Sequence, residues 1–323
     1  MQNPIRIGLL GASRIAPSAV IEPARADGRF VVTAVAARDP ERARAYAQTH
    51  GIAATAADYA ELVRREDVDV VYNGLPPAGH AEWTIAALEA GKAVLCEKPF
   101  ARNAREAQSM IEVAARTGRL LLEAFHNRFH RVMRDAEALV REGRLGRIRR
   151  ASAVFEVPIA RTPDELRWSR DQGGGALMDL GTYPLHALRT LFGEEPRIVS
   201  AQARFEDGVD AELSGRLAFP SGAEAEIGCS MLAERPMARL ELTGERGTLE
   251  IVNFVAPQRG CRFVVTLDGV AEDRPTEGPS TYAAQLAHLH EVIAEGRPAL
   301  TGGADAVAQM TAIDALYAAA GRP

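Results

Sequence analysis

The sequence predicts an α/β protein, with a doubly wound parallel sheet at the N-terminus and a C-terminal α+β domain built on an open, mostly antiparallel sheet. Three observations carry this. As far as about residue 124, short apolar runs alternate with helix-period segments, which is the rhythm of a parallel sheet. Beyond that point strand-like runs follow one another with only short Gly, Pro or Glu turns between them, the rhythm of a meander. The length of 323 residues suits two domains. They are placed at residues 1–124 and 125–323, with the C-terminal helix expected to return to the first.

Ile5–Leu10 is a strand that runs into Gly11-Ala12-Ser13 and then a helix over 14–26. Phe30–Ala36 is β-branched and apolar, so a strand, and 40–50 is a charged helix opening on a proline, whose fixed φ suits the first helical position. A short helix over 58–65 precedes a buried strand over 68–72, and a helix over 78–90 stops at Gly91, a C-cap signal. Ala93–Cys96 is a strand, 103–117 a helix closed by Gly118, and 120–123 a strand. A helix over 129–142 then leads to a partly alternating run over 148–157 and a glycine-led, mostly apolar segment over 173–191. Strand-like runs follow at 201–205, 213–219, 224–231, 239–243, 248–252 and 262–267, and helices over 282–295 and 305–320 finish the chain.

Composition excludes several classes. With 47% apolar and 25% charged residues the chain is ordinary globular protein, long enough to fold without disulfides or a structural metal. A net charge of −5, with basic residues interspersed among acids, offers no concentrated basic face for nucleic acid. No apolar stretch is long enough to span a bilayer, and Met1-Gln2-Asn3-Pro4 leads into a strand without the pattern of a signal peptide. Cys96, Cys229 and Cys261 are too far apart for a metal pair, and an odd count argues against a disulfide framework. The expectation is a cytoplasmic protein with no membrane, nucleic-acid or metal partner. The open sheet predicts a homodimer or homotetramer formed through it, since a large uncovered apolar face would otherwise meet water.

Two segments carry the first chemical signals. Gly8-Leu9-Leu10-Gly11-Ala12-Ser13-Arg14-Ile15-Ala16 lies between a strand and a helix, where a Rossmann sheet binds a dinucleotide pyrophosphate on the helix N-terminus. Gly11 takes the tight turn, Ser13 stands where the middle glycine is usual, and Ala16 takes the third place; Arg14 and Ile15 complete the turn. The next strand ends Ala36-Ala37-Arg38-Asp39. Ala37 occupies the place of the usual ribose-binding carboxylate, and Arg38 suits a 2′-phosphate or stacks on adenine. NADP is therefore the expected cofactor. NAD, with Asp39 on the ribose, is the alternative.

The third signal is a lysine. Of 38 Lys and Arg residues only Lys92 and Lys98 are lysine, in a chain that uses arginine almost wherever a positive charge would serve. Lys98 sits in Cys96-Glu97-Lys98-Pro99 at the carboxyl end of a strand, where ligands bind in open α/β sheets. As a salt-bridge partner of Glu97 it would have to reach across a strand, because adjacent residues there point to opposite faces. Asp179, Tyr183 and His186 follow helical spacing and would share one face, although Gly181 and Pro184 disfavour a regular helix.

Together these segments resemble the glucose–fructose oxidoreductase/inositol dehydrogenase (Gfo/Idh/MocA) family, along nearly the whole chain. Asn73-Gly74-Leu75-Pro76-Pro77 with His80 looks like that family's loop beside the nicotinamide. The segment 123–130, Glu-Ala-Phe-His-Asn-Arg-Phe-His, looks like its domain junction, and 173–183 looks like its substrate-side helix. The resemblance implies that Lys98 is the catalytic lysine, that Pro99 follows a cis bond, that Tyr183 is the general acid/base, and that Asp179 holds a substrate hydroxyl and positions Lys98. It implies cofactor contacts from Gly11, Ser13, Arg14, Ile15, Arg38, Leu75, Pro76, His80, Glu97 and Lys98. His126, Arg128, His130, Trp168, Arg170 and His186 are candidates for a sugar pocket. Arg131 departs from the proline that relatives often carry there. The function implied is NAD(P)-dependent dehydrogenation or reduction at a CH–OH carbon of a sugar, polyol or related cyclic alcohol. The alternatives are a redox-neutral, NAD-dependent glycoside cleavage on the same fold and a non-catalytic nucleotide or sugar sensor.

Overall fold

The computed structural model describes residues 3–322. The chain forms two compact units. One comprises the chain up to Phe125 together with Tyr282–Val307, and the other comprises His126–Thr281 together with the chain from Ala308.

The first unit is built on six parallel strands: β1 (Ile5–Leu10), β2 (Phe30–Ala36), β3 (Ala54–Thr55), β4 (Val70–Asn73), β5 (Ala93–Cys96) and β6 (Leu121–Glu123), in the order β3-β2-β1-β4-β5-β6. The order reverses between β1 and β4, which creates the crevice at their carboxyl ends where such sheets take ligands. Helices α1 (Glu22–Asp27), α2 (Pro40–His50), α3 (Tyr59–Arg64), α4 (His80–Glu89) and α5 (Ala104–Thr117) connect the strands. Asp39, Asp58 and Asn103 accept the N–H groups of Glu41, Glu61 and Glu106 and so start α2, α3 and α5, the expected use of such N-caps. Helix α8 (Thr281–Glu295) seats Leu286 and Leu289 among Ile7, Leu9, Val35 and Leu95. Both faces of β1 and β4 are therefore covered, and both strands are mainly apolar.

The second unit carries an eight-stranded sheet. Its strands are β7 (Ile148–Glu156), β8 (Arg197–Glu206), β9 (Val209–Ala218), β10 (Glu224–Ser230), β11 (Met237–Gly244), β12 (Gly247–Val252), β13 (Arg262–Leu267) and β14 (Val270–Asp273), in the order β14-β13-β12-β11-β7-β10-β9-β8. Every pairing is antiparallel except β7 with β10. Helices α6 (Arg131–Arg141) and α7 (Thr182–Phe192) lie in this unit, with α7 against β7 and β10. Helix α9 (Gly303–Ala319) brings Leu316 so close to Gly215 on β9 that a Cβ there would lie 2.7 Å from its methyl.

The two faces of this sheet differ. Leu213, Leu217, Ile227, Leu240, Leu242, Leu249 and Ile251 are buried, while their neighbours Ser214, Arg216, Glu226, Arg239 and Val252 are exposed. The outward face is mixed: Arg239 is paired to Glu241 and Glu250, and Met237 and Val252 are exposed on the same side. Period-2 alternation explains its charged part: most apolar residues of these strands point inward.

Two helices begin irregularly. A π turn over Pro17–Ile21 precedes α1, and another over Leu177–Gly181 precedes α7. Each lies just before a helical proline, Pro23 or Pro184. Proline lacks an N–H and its ring crowds the carbonyl four residues back; one wider turn relieves both problems.

Candidate active site

At the carboxyl ends of β1 and β4 two loops close on each other. Gly11 has φ +90°, and a Cβ there would lie 3.1 Å from Leu75 Cδ2. A Cβ on Gly74 would lie 2.7 Å from the Tyr72 ring and 3.0 Å from Ser13 Oγ. Both positions therefore require glycine, and their own N–H groups are engaged, Gly11 with Ala36 O at 2.9 Å and Gly74 with Leu10 O at 3.2 Å. Ser13 Oγ accepts the Ala16 N–H at 3.3 Å, which caps the following turn and leaves its own hydrogen available to a phosphate oxygen. Arg14 and Ile15 are exposed beside it.

The end of β2 borders this loop. Ala37 is buried against Ala12 and Ala43, so no carboxylate stands there. Arg38 is exposed, while Asp39 is engaged as the α2 N-cap at 2.9 Å from Glu41 N. Sequence reading missed two neighbours on α2. Arg42 donates to Ala12 O at 2.9 Å and Tyr46 donates to Ser13 O at 2.9 Å. Their positions one and two turns into α2 were the available signal.

Lys98 follows β5 and is half-buried, in a cis peptide with Pro99. The Glu97 carboxylate accepts the buried Tyr72 hydroxyl at 2.7 Å, so Glu97 anchors the strand end. His80 is fully buried, with Nδ1 2.9 Å from Pro99 O and Nε2 2.8 Å from Leu75 O. Burial pushes this imidazole below its ordinary range. The ring thus sits between the Leu75–Pro76 loop and the residue after Lys98, a neutral imidazole donating to one of the two carbonyls. Lys92 serves the fold instead, its ammonium donating to Arg65 O at 2.6 Å and to Val68 O at 2.8 Å.

In the second unit, the turn into α7 is held from two sides. Gly174 and Gly175 N–H donate to Ser169 O and Arg167 O, both at 2.9 Å, and a Cβ on Gly174 would overlap Arg167 O. Asp210 is fully buried. It accepts Leu177 N–H at 2.6 Å and the Tyr317 hydroxyl at 2.7 Å. Burial pushes its carboxyl up to about 6 against these two donors. Asp179, at the π turn, accepts Arg167 Nε at 2.5 Å, and Tyr183 Oη lies 2.9 Å from His126 Nε2. His126 and Tyr183, named separately from sequence, are thus brought together. Arg167 and Asp210 were missed, because nothing in sequence spacing links them to α7.

The remaining sugar-pocket candidates have structural partners. Arg128 grips Glu137 with two hydrogen bonds of 2.8 and 2.9 Å. His130 Nδ1 accepts Val132 N–H at 3.3 Å and starts α6, and burial lowers the pKa of the ring. Trp168 donates to Ile159 O at 3.1 Å and carries the Arg161 guanidinium over its ring. Arg170 is exposed, with its stem against Gly208, and His186 is buried in α7. Among the described residues no cluster of His, Cys, Asp or Glu has the arrangement of a metal site, and no helix is long and apolar enough to cross a membrane.

Comparison with known proteins identifies the family of both units. Residues 5–125 match the model of an oxidoreductase family with an NAD-binding Rossmann fold, and residues 133–250 match a GFO/IDH/MocA C-terminal domain. A dTDP-3,4-didehydro-2,6-dideoxy-alpha-D-glucose 3-reductase of Streptomyces violaceoruber is 35% identical over 98% of this chain and 95% of its own. A D-xylose 1-dehydrogenase (NADP(+)) of Haloferax volcanii is 30% identical over 97% and 96%. The crystal structure of an aldose-aldose oxidoreductase from Caulobacter crescentus, complexed with glycerol, superposes with a TM-score of 0.89 at 31% identity, covering 98% of both chains.

Proposed function

Because the chain belongs to the GFO/IDH/MocA oxidoreductase family, we propose that it transfers a hydride reversibly between NADP(H) and a hydroxyl-bearing carbon of a sugar, polyol or related cyclic alcohol. The observation that carries this reading is the closed pair of loops at Gly11 and Gly74, with Lys98 held at the next strand end by the His80 clamp. The turn after β1 fits a pyrophosphate, since it lies at the crevice where the strand order reverses and carries Ser13, whose hydroxyl hydrogen is available to a phosphate oxygen. A nicotinamide dinucleotide bound there supplies the hydride chemistry.

The chain's own groups then divide the work. The Ser13 hydroxyl and the N-terminus of the following helix bind phosphate oxygens. Arg38 and Arg42, exposed at the end of β2 and the start of α2, would hold the 2′-phosphate of NADP. Lys98 hydrogen-bonds the reacting oxygen and stabilises charge developing on it. Tyr183 takes the proton from that oxygen in oxidation and returns it in reduction. Asp179, with Arg167 on its other side, holds a substrate hydroxyl.

The dehydrogenase reading is tested by following nicotinamide absorbance while sugars and polyols, D-xylose among them, are offered with NADP and separately with NAD. No change with any of them, from protein that arrives carrying tightly held dinucleotide, would favour redox-neutral chemistry instead. The preference for NADP makes a sharper prediction. Hydrogen bonds to a charged group are worth about 1.5–3 kcal/mol. Arg38→Ala combined with Arg42→Ala should therefore raise the KM for NADP roughly ten- to hundredfold and leave that for NAD within about twofold. Equal losses with both cofactors would reject the assignment.

The outer face of the second sheet is proposed to pair with a second copy of the chain, as a homodimer or a homotetramer. Its interspersed Arg216, Arg239, Glu226 and Glu241 are self-complementary, as a two-fold interface requires. Light scattering during size exclusion should give a multiple of the chain mass that falls at high salt; the monomer mass at every concentration would exclude it. A cytoplasmic location is proposed from the thiols: Cys96, Cys229 and Cys261 are all free.

A further inference from the structure

We infer that His126 is the positioning residue for Tyr183, a donor that keeps the tyrosine's own hydrogen directed at the reacting oxygen. This rests on the reading of Tyr183 as the proton-transfer group. His126 begins the turn after β6 and is buried. Its Nε2 lies 2.9 Å from Tyr183 Oη and its Nδ1 lies 2.8 Å from Thr281 Oγ1. The two rings meet edge to face at 5.5 Å, and Phe155 of β7 closes against the tyrosine at 5.6 Å.

The direction of these hydrogen bonds follows from the far end. Thr281 N–H donates to Gln258 Oε1 at 3.4 Å, so the amide nitrogen of Gln258 is the group that donates to Thr281 Oγ1 at 3.3 Å. Thr281 is fully buried, and a buried hydroxyl places its hydrogen on an acceptor. His126 Nδ1, at 2.8 Å, is that acceptor. The ring proton of neutral His126 then sits on Nε2 and donates to Tyr183 Oη. An oxygen that already accepts from a fixed donor cannot turn its own hydrogen back along the same line. The same donor stabilises the oxygen once its proton has left.

Other titratable groups stand on the elements around this helix. Cys229 on β10 lies against Gly181, but burial pushes its thiol well above the usual range. Glu156 neighbours Phe155 in sequence and so points to the opposite face of β7. Helix α6 buries Val132, Met133, Ala136 and Leu139 and keeps its charged residues off that face. Asp179 and His186 stand one turn before and after Tyr183 in the same helical segment, and Asp179 is paired with Arg167.

The test compares His126→Leu, His126→Gln, Thr281→Val and Tyr183→Phe in the full chain, with NADP and D-xylose, or the best alcohol from the screen, as the probes. His126→Leu should lower kcat roughly ten- to hundredfold with KM for the alcohol within about twofold. It should also move the ionisation limb of the kcat profile up by about one pH unit, a tenfold effect. His126→Gln, which can present an amide N–H near the same place, should restore most of the rate, and Thr281→Val should fall between. An ultraviolet difference titration of tyrosinate, parent against Tyr183→Phe, should show the same displacement without turnover. Should His126→Leu fail to fold, the Gln and Val variants carry the comparison alone. An unchanged pH profile and titration in the folded variants, with Tyr183→Phe inactive, rejects the inference and spares the reading beneath it. Full activity of Tyr183→Phe rejects both.

Discussion

Replacing Lys98 with methionine is expected to lower kcat by about 10²- to 10³-fold, the cost of removing one donor from an oxygen that becomes negative in the transition state. Dinucleotide affinity, followed by fluorescence titration with NADPH, should stay within a few fold. The expectation follows from what surrounds the residue. Glu97 is committed to the Tyr72 hydroxyl at 2.7 Å, and His80 fixes the backbone on the other side at Pro99 O. The strand end is thus rigid without help from the Lys98 ammonium, and its loss should leave the fold intact. Lys98→Arg should be nearly as inactive, because a planar guanidinium cannot take the place of a compact ammonium on a single oxygen. In a chain with only two lysines, the other gives a built-in control. Lys92 caps the carbonyls of Arg65 and Val68, so Lys92→Met should lower the melting temperature and leave kcat in place. Retention of a tenth of the parent rate by Lys98→Met would overturn the assignment.

Both sheets were legible because burial on two faces and burial on one leave different marks. β4 and β5 read as mainly apolar runs and β1 as one interrupted by Arg6, while β9, β10 and β11 read as alternation. β3 went unread because Ala54–Thr55 is too short to show any period. β14 was missed for the opposite reason: all four of its residues are exposed. Its turn was nonetheless available, since Asp268-Gly269 takes positive φ at both positions, as does Asp207-Gly208 between β8 and β9. Asp-Gly at such a place is a two-residue hairpin signal. Of the site, Gly11, Lys98, Asp179 and Tyr183 stood out by residue type and local spacing. His126 was noticed only as part of a junction, because its contact with Tyr183 spans 57 residues. Arg167 and Asp210 escaped because a carboxylate or guanidinium that props a helix from another segment leaves no periodic trace. The outer face of the second sheet is only partly legible in the same way: charged residues alternate with the inward apolar ones, and Met237 and Val252 are exposed among them.

Gly175→Ala is expected to be the most damaging single methyl group that can be added near the site. Gly175 has φ +129°, a region costing an L-residue about 1–3 kcal/mol. A Cβ there would also overlap Asp210 Oδ1 and come within 2.9 Å of Tyr317 Oη. Neither neighbour can retreat. The carboxylate is fully buried and holds Leu177 N–H and the Tyr317 hydroxyl at 2.6 and 2.7 Å, while Gly175 N–H is itself tied to Arg167 O at 2.9 Å. The combined strain should cost on the order of 4 kcal/mol, at the severe end for one substitution, and lower the melting temperature by on the order of 10 °C. Because Asp179 N–H donates to Gly175 O at 3.0 Å, any displacement also carries the turn that bears Asp179 and leads to Tyr183, so kcat should fall in whatever protein remains folded. The mechanism is separable from a general intolerance of alanine. In an Asp210→Ala background, which vacates the space the new methyl needs, Gly175→Ala should cost at least about 1.5 kcal/mol less, a coupling well outside the scatter of independent sites. Urea unfolding of the four proteins measures it. Strict additivity would mean that the cost lies in the backbone conformation alone, and that Asp210 does not hold the entrance to α7 against Gly175.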